Sequence, residues 1–171
     1  MESVRSAMGI EIERRFLVDS TALPKRLPRG ERLVQGYLSL GPVVRARTIQ
    51  PLGRGRKRAV LTIKGRGTRV RAEYEYPIPY KDAQALLELC GERVLQKVRM
   101  RIGPWELDRY EKRHTGLWLA EIELRRADEG LPDPLPPWLG REVTEDPRYT
   151  NSSLAALKRW PPPCAQDVHG K

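Results

Sequence analysis

Charged and apolar residues alternate at two-residue spacing through much of the chain, beginning with the run from Glu11 to Phe16. Because successive residues of a β-strand point to opposite faces, Glu11, Glu13 and Arg15 share one face, while Ile12 and Phe16 add apolar bulk to the other. The same spacing recurs in later segments: Arg45/Arg47, Thr62/Lys64, Glu73/Glu75, Lys97/Arg99, Glu106/Asp108 and Glu121/Glu123.

The polar side of this pattern is unusual because nearly every position carries a formal charge, sorted into acidic or basic pairs. An ordinary half-buried sheet faces water with mixed polar residues. Two carboxylates two residues apart on a strand lie about 6.7 Å from each other, where their repulsion is roughly 2 to 3 kcal/mol at an effective dielectric of about 20. On a concave, partly desolvated face this repulsion requires cations nearby, so the pattern predicts a binding site.

The periodicity predicts about eight strands and two helices. One helix is predicted over Asp82 to Cys90, with Gly91 placed to end it. A second helix is predicted from a cap at Asn151 to Lys158. Besides the strand that contains Glu11, the predicted strands are Val34 to Leu40, Val43 to Ile49, Ala59 to Lys64, Val70 to Pro77, Val94 to Ile102, Trp105 to Tyr110 and Leu117 to Leu124.

These elements predict an α+β fold that is mainly β. Strands joined mostly by hairpins form an antiparallel sheet, and eight strands suffice to close a β-barrel with room for a ligand. The charges would then line the inside of the barrel. The apolar faces would turn outward against the two helices and the Pro-rich segment from Leu131 to Leu139.

Composition narrows the class of protein. The 171 residues fit one domain, taken as residues 8–160, with 1–7 as an extension and 161–171 as a poorly ordered tail. A net charge of +10 predicts a polyanionic partner, either nucleic acid, a membrane surface or a phosphorylated small molecule. Two cysteines are too few for a disulfide framework, and no signal peptide or membrane span is apparent, so we expect a cytoplasmic protein.

The order of these charged segments resembles that of a known family, the CYTH or triphosphate tunnel metalloenzyme group. The run from Glu11 to Val18 resembles the family's N-terminal ExExK strand, and the likeness extends over roughly residues 9–158. The segments that follow in the family's order are Gln35–Ser39, Val44–Arg47, Leu61–Gly65, Glu73–Ile78, Lys97–Arg99, Trp105–Asp108, Leu119–Leu124 and Glu142–Ser152.

The resemblance implies an eight-stranded antiparallel tunnel that binds a linear triphosphate with divalent metal and hydrolyses it. Carried over by position, the carboxylates that would hold Mg²⁺ or Mn²⁺ are Glu11, Glu13, Glu121 and Glu123, with Asp108 a weaker candidate. The residues that would grip the phosphates are Arg15, Arg45, Arg47, Lys64, Lys97 and Arg99. Tyr37 could meet a phosphate or base at the tunnel mouth, although such a tyrosine is more often a packing residue.

Catalysis would then rest mainly on preorganised cations and metal, because phosphoryl transfer places charge on the peripheral oxygens. The implied catalytic residues are Glu11, Glu13, Arg15 and Lys97, with either a metal-bridged carboxylate or the Glu73/Glu75 pair acting on the attacking water. Arg15 stands where the family motif has Lys, which leaves the substrate preference set by this position open.

Several alternatives remain at this stage. Within the family they are thiamine triphosphatase, nucleoside triphosphatase and class IV-type adenylate cyclase. A rival from another class is a non-catalytic polyphosphate or nucleotide binder, with the basic loop from Arg54 to Arg58 docking on RNA. A solvated hairpin tip is the favoured interpretation of that loop, so nucleic acid is not expected as a partner. His114 and His169 are interpreted as solvated loop residues, and both a monomer and a homodimer are open.

Overall fold

A computed structural model describes residues 9–66 and 70–158. These residues form nine strands and two α-helices: β1 Gly9–Val18, β2 Glu31–Leu40, β3 Val43–Pro51, β4 Arg58–Lys64, β5 Val70–Pro77, α1 Tyr80–Leu89, β6 Val94–Ile102, β7 Trp105–Tyr110, β8 Trp118–Glu123, β9 Leu139–Glu142 and α2 Asn151–Ala156. Short 3₁₀ turns lie at Ser20–Ala22, Lys112–His114 and Pro147–Tyr149. The predicted mainly-β fold with two helices is confirmed, with nine strands in the described residues instead of eight.

The additional strand is β9, which the sequence pattern missed. It has only four residues, shows no clear alternation, and follows a Pro-rich segment. Gly140 allows its close approach to β1, because a Cβ added there would lie 3.0 Å from the carbonyl oxygen of Leu17. The strand therefore depends on tertiary packing, which alternation along the chain does not record.

All strand pairs are antiparallel, in the order β5-β4-β3-β2-β6-β7-β8-β1-β9. In addition, the first half of β1 pairs with β5, with Glu11 opposite Arg71. The second half of β1 pairs with β8, with Glu13 opposite Glu123. Through the β1–β5 ladder, each of the strands β1 to β8 has a neighbour along both edges.

The outward face of one half of the sheet is an apolar layer. Phe16 meets Trp105 edge to face, with ring centroids 5.6 Å apart, and Trp105 meets Trp138 in the same way at 5.9 Å. Leu131 and Leu139, at the two ends of the Pro-rich segment, pack against this layer. The prediction that this segment covers outward apolar faces is confirmed, and aromatic pairs in this geometry add to the burial of their surface.

Helix α1 covers the outward face of β2, β3 and β4. Gly36 in β2 is the point of closest approach, because a Cβ added there would lie 2.7 Å from the Sγ atom of Cys90. The helix begins at Tyr80, two residues before the predicted start. Gly91 follows it with a φ of 57°, the left-handed conformation that commonly ends helices.

Helix α2 packs at one end of the sheet, against β2 and β6, instead of covering an outer face. Its residues Leu154 and Ala155 pack on an apolar cluster that includes Leu17, Tyr37 and Leu119. These strand residues share the inward face with the charged pairs, so the predicted charge occupies only part of that face. Thr150, rather than Asn151, caps the helix, since its Oγ1 accepts a hydrogen bond from the Ser153 N–H at 3.2 Å.

His114 is also placed differently from its prediction as a solvated residue. It is buried, with Nε2 donating to the Leu154 carbonyl at 2.8 Å, and so it ties the 3₁₀ turn after β7 to α2. His169 and the predicted extension and tail lie outside the described residues. The loop from Leu52 to Lys57 is exposed, as expected for a solvated hairpin tip. Within the described ranges, no helix has the length and apolar character to cross a membrane.

Candidate active site in a charged cavity

A cavity of about 590 Å³ lies on the inward face of the sheet at the end away from α2's apolar residues. It is lined by basic and acidic side chains in equal number: Arg45, Arg47, Arg58, Lys64, Arg71, Arg99 and Arg101 against Glu13, Glu31, Glu73, Glu75, Glu106, Glu121 and Glu123. The strand alternation accounts for this meeting of charges, because the charged residues of each strand stand at two-residue spacing on one face.

Not all of the predicted site residues line the cavity. Arg15, Lys97 and Asp108 lie beneath its wall and are almost fully buried. Tyr37 is in the closed apolar end, with its Oη accepting from Gln35 Nε2 at 2.8 Å, so its predicted place at the mouth is wrong. Glu11 belongs to β1, but its side chain lies outside the described part of the structure.

One wall of the cavity combines cations of β3 and β4 with the carboxylates of β5. Lys64 Nζ lies 2.8 Å from Glu73 Oε2, and the Nη2 of Arg45 lies 3.8 Å from Glu73 and 3.7 Å from Glu75. Thr62 accepts from Arg45 at 3.0 Å and donates to Glu75 at 3.1 Å. The acidic pair on β5 therefore holds the cations of this wall in place.

Arg47 extends this wall without a carboxylate partner. Its Nε donates to Gln35 Oε1 at 3.1 Å, and within the described residues it forms no ion pair. Burial, together with the neighbouring Arg45 and Arg99, lowers the pKa of Arg47 to about 10. A guanidinium in this position is stabilised by a bound anion, because the anion offsets both the lost hydration and the repulsion between the arginines.

The wall formed by β1 and β8 is acidic. Glu13 and Glu123 stand directly opposite each other in the β1–β8 ladder, an arrangement that is destabilising for like charges unless a cation lies nearby. Arg15 contacts Glu13 and donates from Nε to Glu121 Oε1 at 2.8 Å. Glu123 makes no ion pair with any residue in the described ranges. This wall can therefore accept a further cation.

The floor of the cavity is a buried ion cluster. Lys97 Nζ lies 2.5 Å from Asp108 Oδ2, and Arg99 makes two contacts of 2.7 Å to the same carboxylate and one of 2.7 Å to Glu121. Burial and Arg99 lower the pKa of Lys97 to about 8, against the pull of Asp108. Burial alone would raise the pKa of Asp108, but Arg99 and Lys97 hold it below its ordinary value.

The same cluster fixes the ionisation of the acidic wall. Burial alone would raise the pKa of Glu121, but Arg15, Lys97 and Arg99 hold it well below its ordinary value. The pKa of Arg15 is raised, since Glu121 and Glu13 outweigh its burial. Glu121 is therefore a carboxylate at neutral pH.

Sequence reasoning missed several cavity residues, among them Arg71 and Asn151. Arg71 precedes Glu73 and Glu75 at the same two-residue spacing, and its Nη2 lies 3.6 Å from Glu13 Oε2. Asn151 was interpreted as a helix cap, yet its side chain lines the cavity. Alternation would have found Arg71, whereas Asn151 reaches the cavity from α2 and no strand pattern includes it.

The carboxylates of the acidic wall fit a hard divalent cation by their chemistry. Glu13, Glu121 and Glu123 offer only oxygen donors, which Mg²⁺ and Mn²⁺ prefer, and Glu123 has no competing cation within the described residues. In the described ranges, no three acidic, His or Cys side chains are already gathered as a ligand set. Metal binding would therefore draw these carboxylates toward the ion and away from their arginine partners.

No model of a known protein family matches the chain. The chain is 41% identical over 155 residues to a protein named inorganic triphosphatase from Acetivibrio thermocellus, covering 86% of this chain and 94% of that protein. A protein of the same name from Nitrosomonas europaea is 33% identical over 154 residues, covering 85% of this chain and 96% of that protein. The chain belongs to the CYTH-like triphosphatase family.

Solved structures agree with this membership of the CYTH-like triphosphatases. A crystal structure of an inorganic triphosphatase is 30% identical with a TM-score of 0.58, and the match covers 89% of this chain and 98% of that one. A second crystal structure of that same protein is 32% identical with a TM-score of 0.57, and here the match covers 86% and 98%. The triphosphatase part of the family resemblance drawn from the sequence is confirmed.

Proposed function

We propose that this protein hydrolyses the terminal phosphoanhydride of inorganic tripolyphosphate with the help of Mg²⁺ or Mn²⁺. The observation that carries the proposal is that cations of β3 and β4 and carboxylates of β1 and β8 line one cavity. Equal numbers of lining cations and anions suit a metal–triphosphate complex better than a bare polyanion, because the complex brings its own cation to the acidic wall. The relatives named inorganic triphosphatase support the choice of substrate.

We propose that the sheet wraps into a tunnel that α2 closes at one end. The β1–β5 ladder, which gives β1 to β8 a neighbour on each edge, supports this arrangement. The substrate would enter at the end where the side chains of Arg58 and Arg101 are exposed. Because the other end of this tunnel would be closed, only the end of a phosphate chain would reach the floor of the cavity.

In this proposal the basic wall binds the phosphate oxygens. Arg47 offers a planar fork that matches a pair of phosphate oxygens, and Lys64 offers a point charge. Arg47 is the strongest candidate, since it has no carboxylate partner within the described residues and a lowered pKa. Binding the anion would raise the pKa of Arg47 back toward its ordinary value.

Glu13, Glu121 and Glu123, together with Glu11, would hold the metal ion. When bound, such an ion neutralises charge on the phosphoryl oxygens and lowers the pKa of a water molecule. Arg15 orients Glu13 and Glu121 from beneath, so in this chain its role is to position carboxylates. That role makes use of the arginine fork, which a lysine at this position would lack.

The reaction is an attack of water on the terminal phosphorus, with cleavage of its bond to the bridging oxygen and departure of diphosphate. We propose that Glu75 orients this water and takes its proton at a carboxylate oxygen. Glu75 is the more accessible of the β5 pair, because 45% of its side chain is exposed against 18% for Glu73, which is held by Lys64. Arg45, Arg47 and Arg99 stabilise the charge on the peripheral oxygens in the transition state.

The test is phosphate release from tripolyphosphate, ATP and thiamine triphosphate in parallel, each with Mg²⁺, with Mn²⁺ and with chelator. The proposal expects fast, chelator-sensitive release from tripolyphosphate. Preference for thiamine triphosphate or ATP would assign an organic substrate instead, and formation of cyclic AMP from ATP would indicate a cyclase. Binding of tripolyphosphate without turnover, whatever metal is present, would contradict the enzyme and favour a binding protein.

A further inference from the structure

The side chain of Asn151 joins α2 to the floor of the cavity. Asn151 is the first residue of α2 and lines the cavity. Its Oδ1 accepts from the Oη of Tyr110 at 2.6 Å and from the Nζ of Lys97 at 3.1 Å. Since an amide oxygen has two lone pairs, these contacts use its full accepting capacity.

These contacts fix the orientation of the amide. The Lys97 ammonium has three donors and no acceptor, so the amide oxygen must face it, and a flipped amide would place two donors against each other. The Nδ2 group therefore points away from Lys97. Nδ2 has no hydrogen-bond partner among the described residues, and it is not one of their buried polar atoms left without a partner. It is thus an accessible donor at the cavity surface.

We propose that Nδ2 of Asn151 donates a hydrogen bond to a phosphate oxygen at the inner end of the bound triphosphate. The ligand chemistry follows from the surroundings, since Asn151 lines the same cavity as Arg45, Arg47 and Arg99. The inference rests on the proposed function, because it assigns a further contact to the same substrate. It also makes the docking of α2 a condition for a complete site, because Asn151 reaches the cavity only while α2 is packed in place.

Two substitutions separate a substrate contact from a purely supporting role. Asn151→Asp keeps an oxygen for Tyr110 and Lys97 but removes the donor, whereas Asn151→Ala removes both functions. Ser152→Asp is the matched control, because it adds the same charge one residue along α2 at a position that does not line the cavity. The measurements are kcat and KM for tripolyphosphate with Mg²⁺, and the melting temperature with and without tripolyphosphate.

A substrate contact predicts that kcat/KM falls roughly 10- to 100-fold in Asn151→Ala, as expected for a lost hydrogen bond to a charged group. Asn151→Asp should lose at least as much, mainly through a higher KM, because the contact is already present in the bound ground state. Ser152→Asp should stay within about twofold of the unsubstituted protein, since its charge is solvated and screened. The melting temperature of Asn151→Asp without substrate should be unchanged.

Other outcomes overturn the inference. If Asn151→Asp keeps the wild-type KM, Asn151 only supports Lys97 and Tyr110, whether or not Asn151→Ala loses activity. If the unsubstituted protein does not hydrolyse tripolyphosphate, the proposed function fails by itself, and the rise in melting temperature on adding tripolyphosphate then tests the contact. A smaller rise in Asn151→Asp than in Ser152→Asp would support the contact; an equal rise, or no rise in the unsubstituted protein, would overturn it.

Discussion

The two ends of the inward face of the sheet differ in what they bury. On β8, Leu119 belongs to the apolar end and Glu123 to the charged cavity, although both stand on the same face. Leu17 and Glu13 show the same change along β1. The apolar end is stabilised by burial of carbon surface, whereas the charged end must offset desolvation with ion pairs. One end of these strands therefore contributes stability, and the other end forms the proposed ligand site.

The ion cluster of Lys97, Asp108 and Arg99 marks the boundary between these ends. Lys97 and Asp108 are each fully shielded from solvent, with 0% exposure, and one carboxylate serves two cations there. Substitutions in the two ends should thus separate activity from stability.

The largest effect on activity is expected for Arg47→Met in the charged end. Phosphate release from tripolyphosphate should fall roughly 10²-fold or more, because a preorganised cation for the phosphoryl oxygens is lost. The free energy of unfolding should stay the same or rise, since Arg45 and Arg99 repel Arg47 in the free protein. Urea denaturation and a phosphate assay would measure both. Arg54→Met in the exposed loop is the control, and destabilisation by Arg47→Met would contradict the account.

Next in size is the loss of stability from Asp108→Asn at the boundary. Removing this carboxylate leaves Lys97 and Arg99 without their main buried partner, which should lower the free energy of unfolding by about 3 to 5 kcal/mol. Asp128→Asn removes one partner of the exposed Arg126–Asp128 pair and should leave stability unchanged. Equal midpoints in urea for the two variants would show that the buried cluster does not hold the floor.

Leu154→Ala tests the apolar end. Leu154 is fully buried against the cluster under α2, so the cavity left behind should lower the free energy of unfolding by about 2 to 5 kcal/mol. Leu89→Ala on the exposed side of α1 is the matched control, because 72% of Leu89 is accessible. At temperatures where Leu154→Ala stays folded, kcat should remain close to the wild-type value. A large loss of kcat in the folded variant would break the separation of the two ends.

The smallest effect concerns the pH dependence of stability at His114. Burial lowers the pKa of His114 below its ordinary value of 6.5, so the neutral ring is the form that fits the fold. The contribution of His114 to the free energy of unfolding is therefore fully present above pH 6.5 and is lost as pH falls through the folded-state pKa. His114→Gln keeps a donor for the Leu154 carbonyl but does not titrate. Between pH 7.5 and 5 the unsubstituted protein should lose more stability than this variant; equal losses would contradict the assignment.

Much of the fold could be predicted because its strands alternate so regularly. The predicted bounds of β5, β6 and β7 agree with the structure, and every charged pair lies on one face of its strand as expected. The face of a strand on which a residue lies follows from alternation along that strand, so the sequence alone predicts it.

Features that depend on which strands meet could not be predicted in this way. Tyr37 lies on the same face of its strand as the charged residues. Only its packing against α2 shows that it belongs to the apolar end of that face. His114 follows β7 in a polar segment, and its burial comes from contact with Leu154, 40 residues away in the sequence. Asn151 was hidden for the same reason, because its neighbours Lys97 and Tyr110 lie on other elements.

The most direct test of the central claim compares Glu13→Ala with Arg14→Ala. Glu13 lines the cavity, whereas the adjacent Arg14 points to the opposite face, where its Nε donates to Glu142 at 2.9 Å. With Mg²⁺ and tripolyphosphate, phosphate release by Glu13→Ala should fall by on the order of 10²-fold or more, with the fold retained. Arg14→Ala should remain near the wild-type rate. Full activity in Glu13→Ala, or an equally large loss in Arg14→Ala, would contradict the assignment of the charged cavity as the active site.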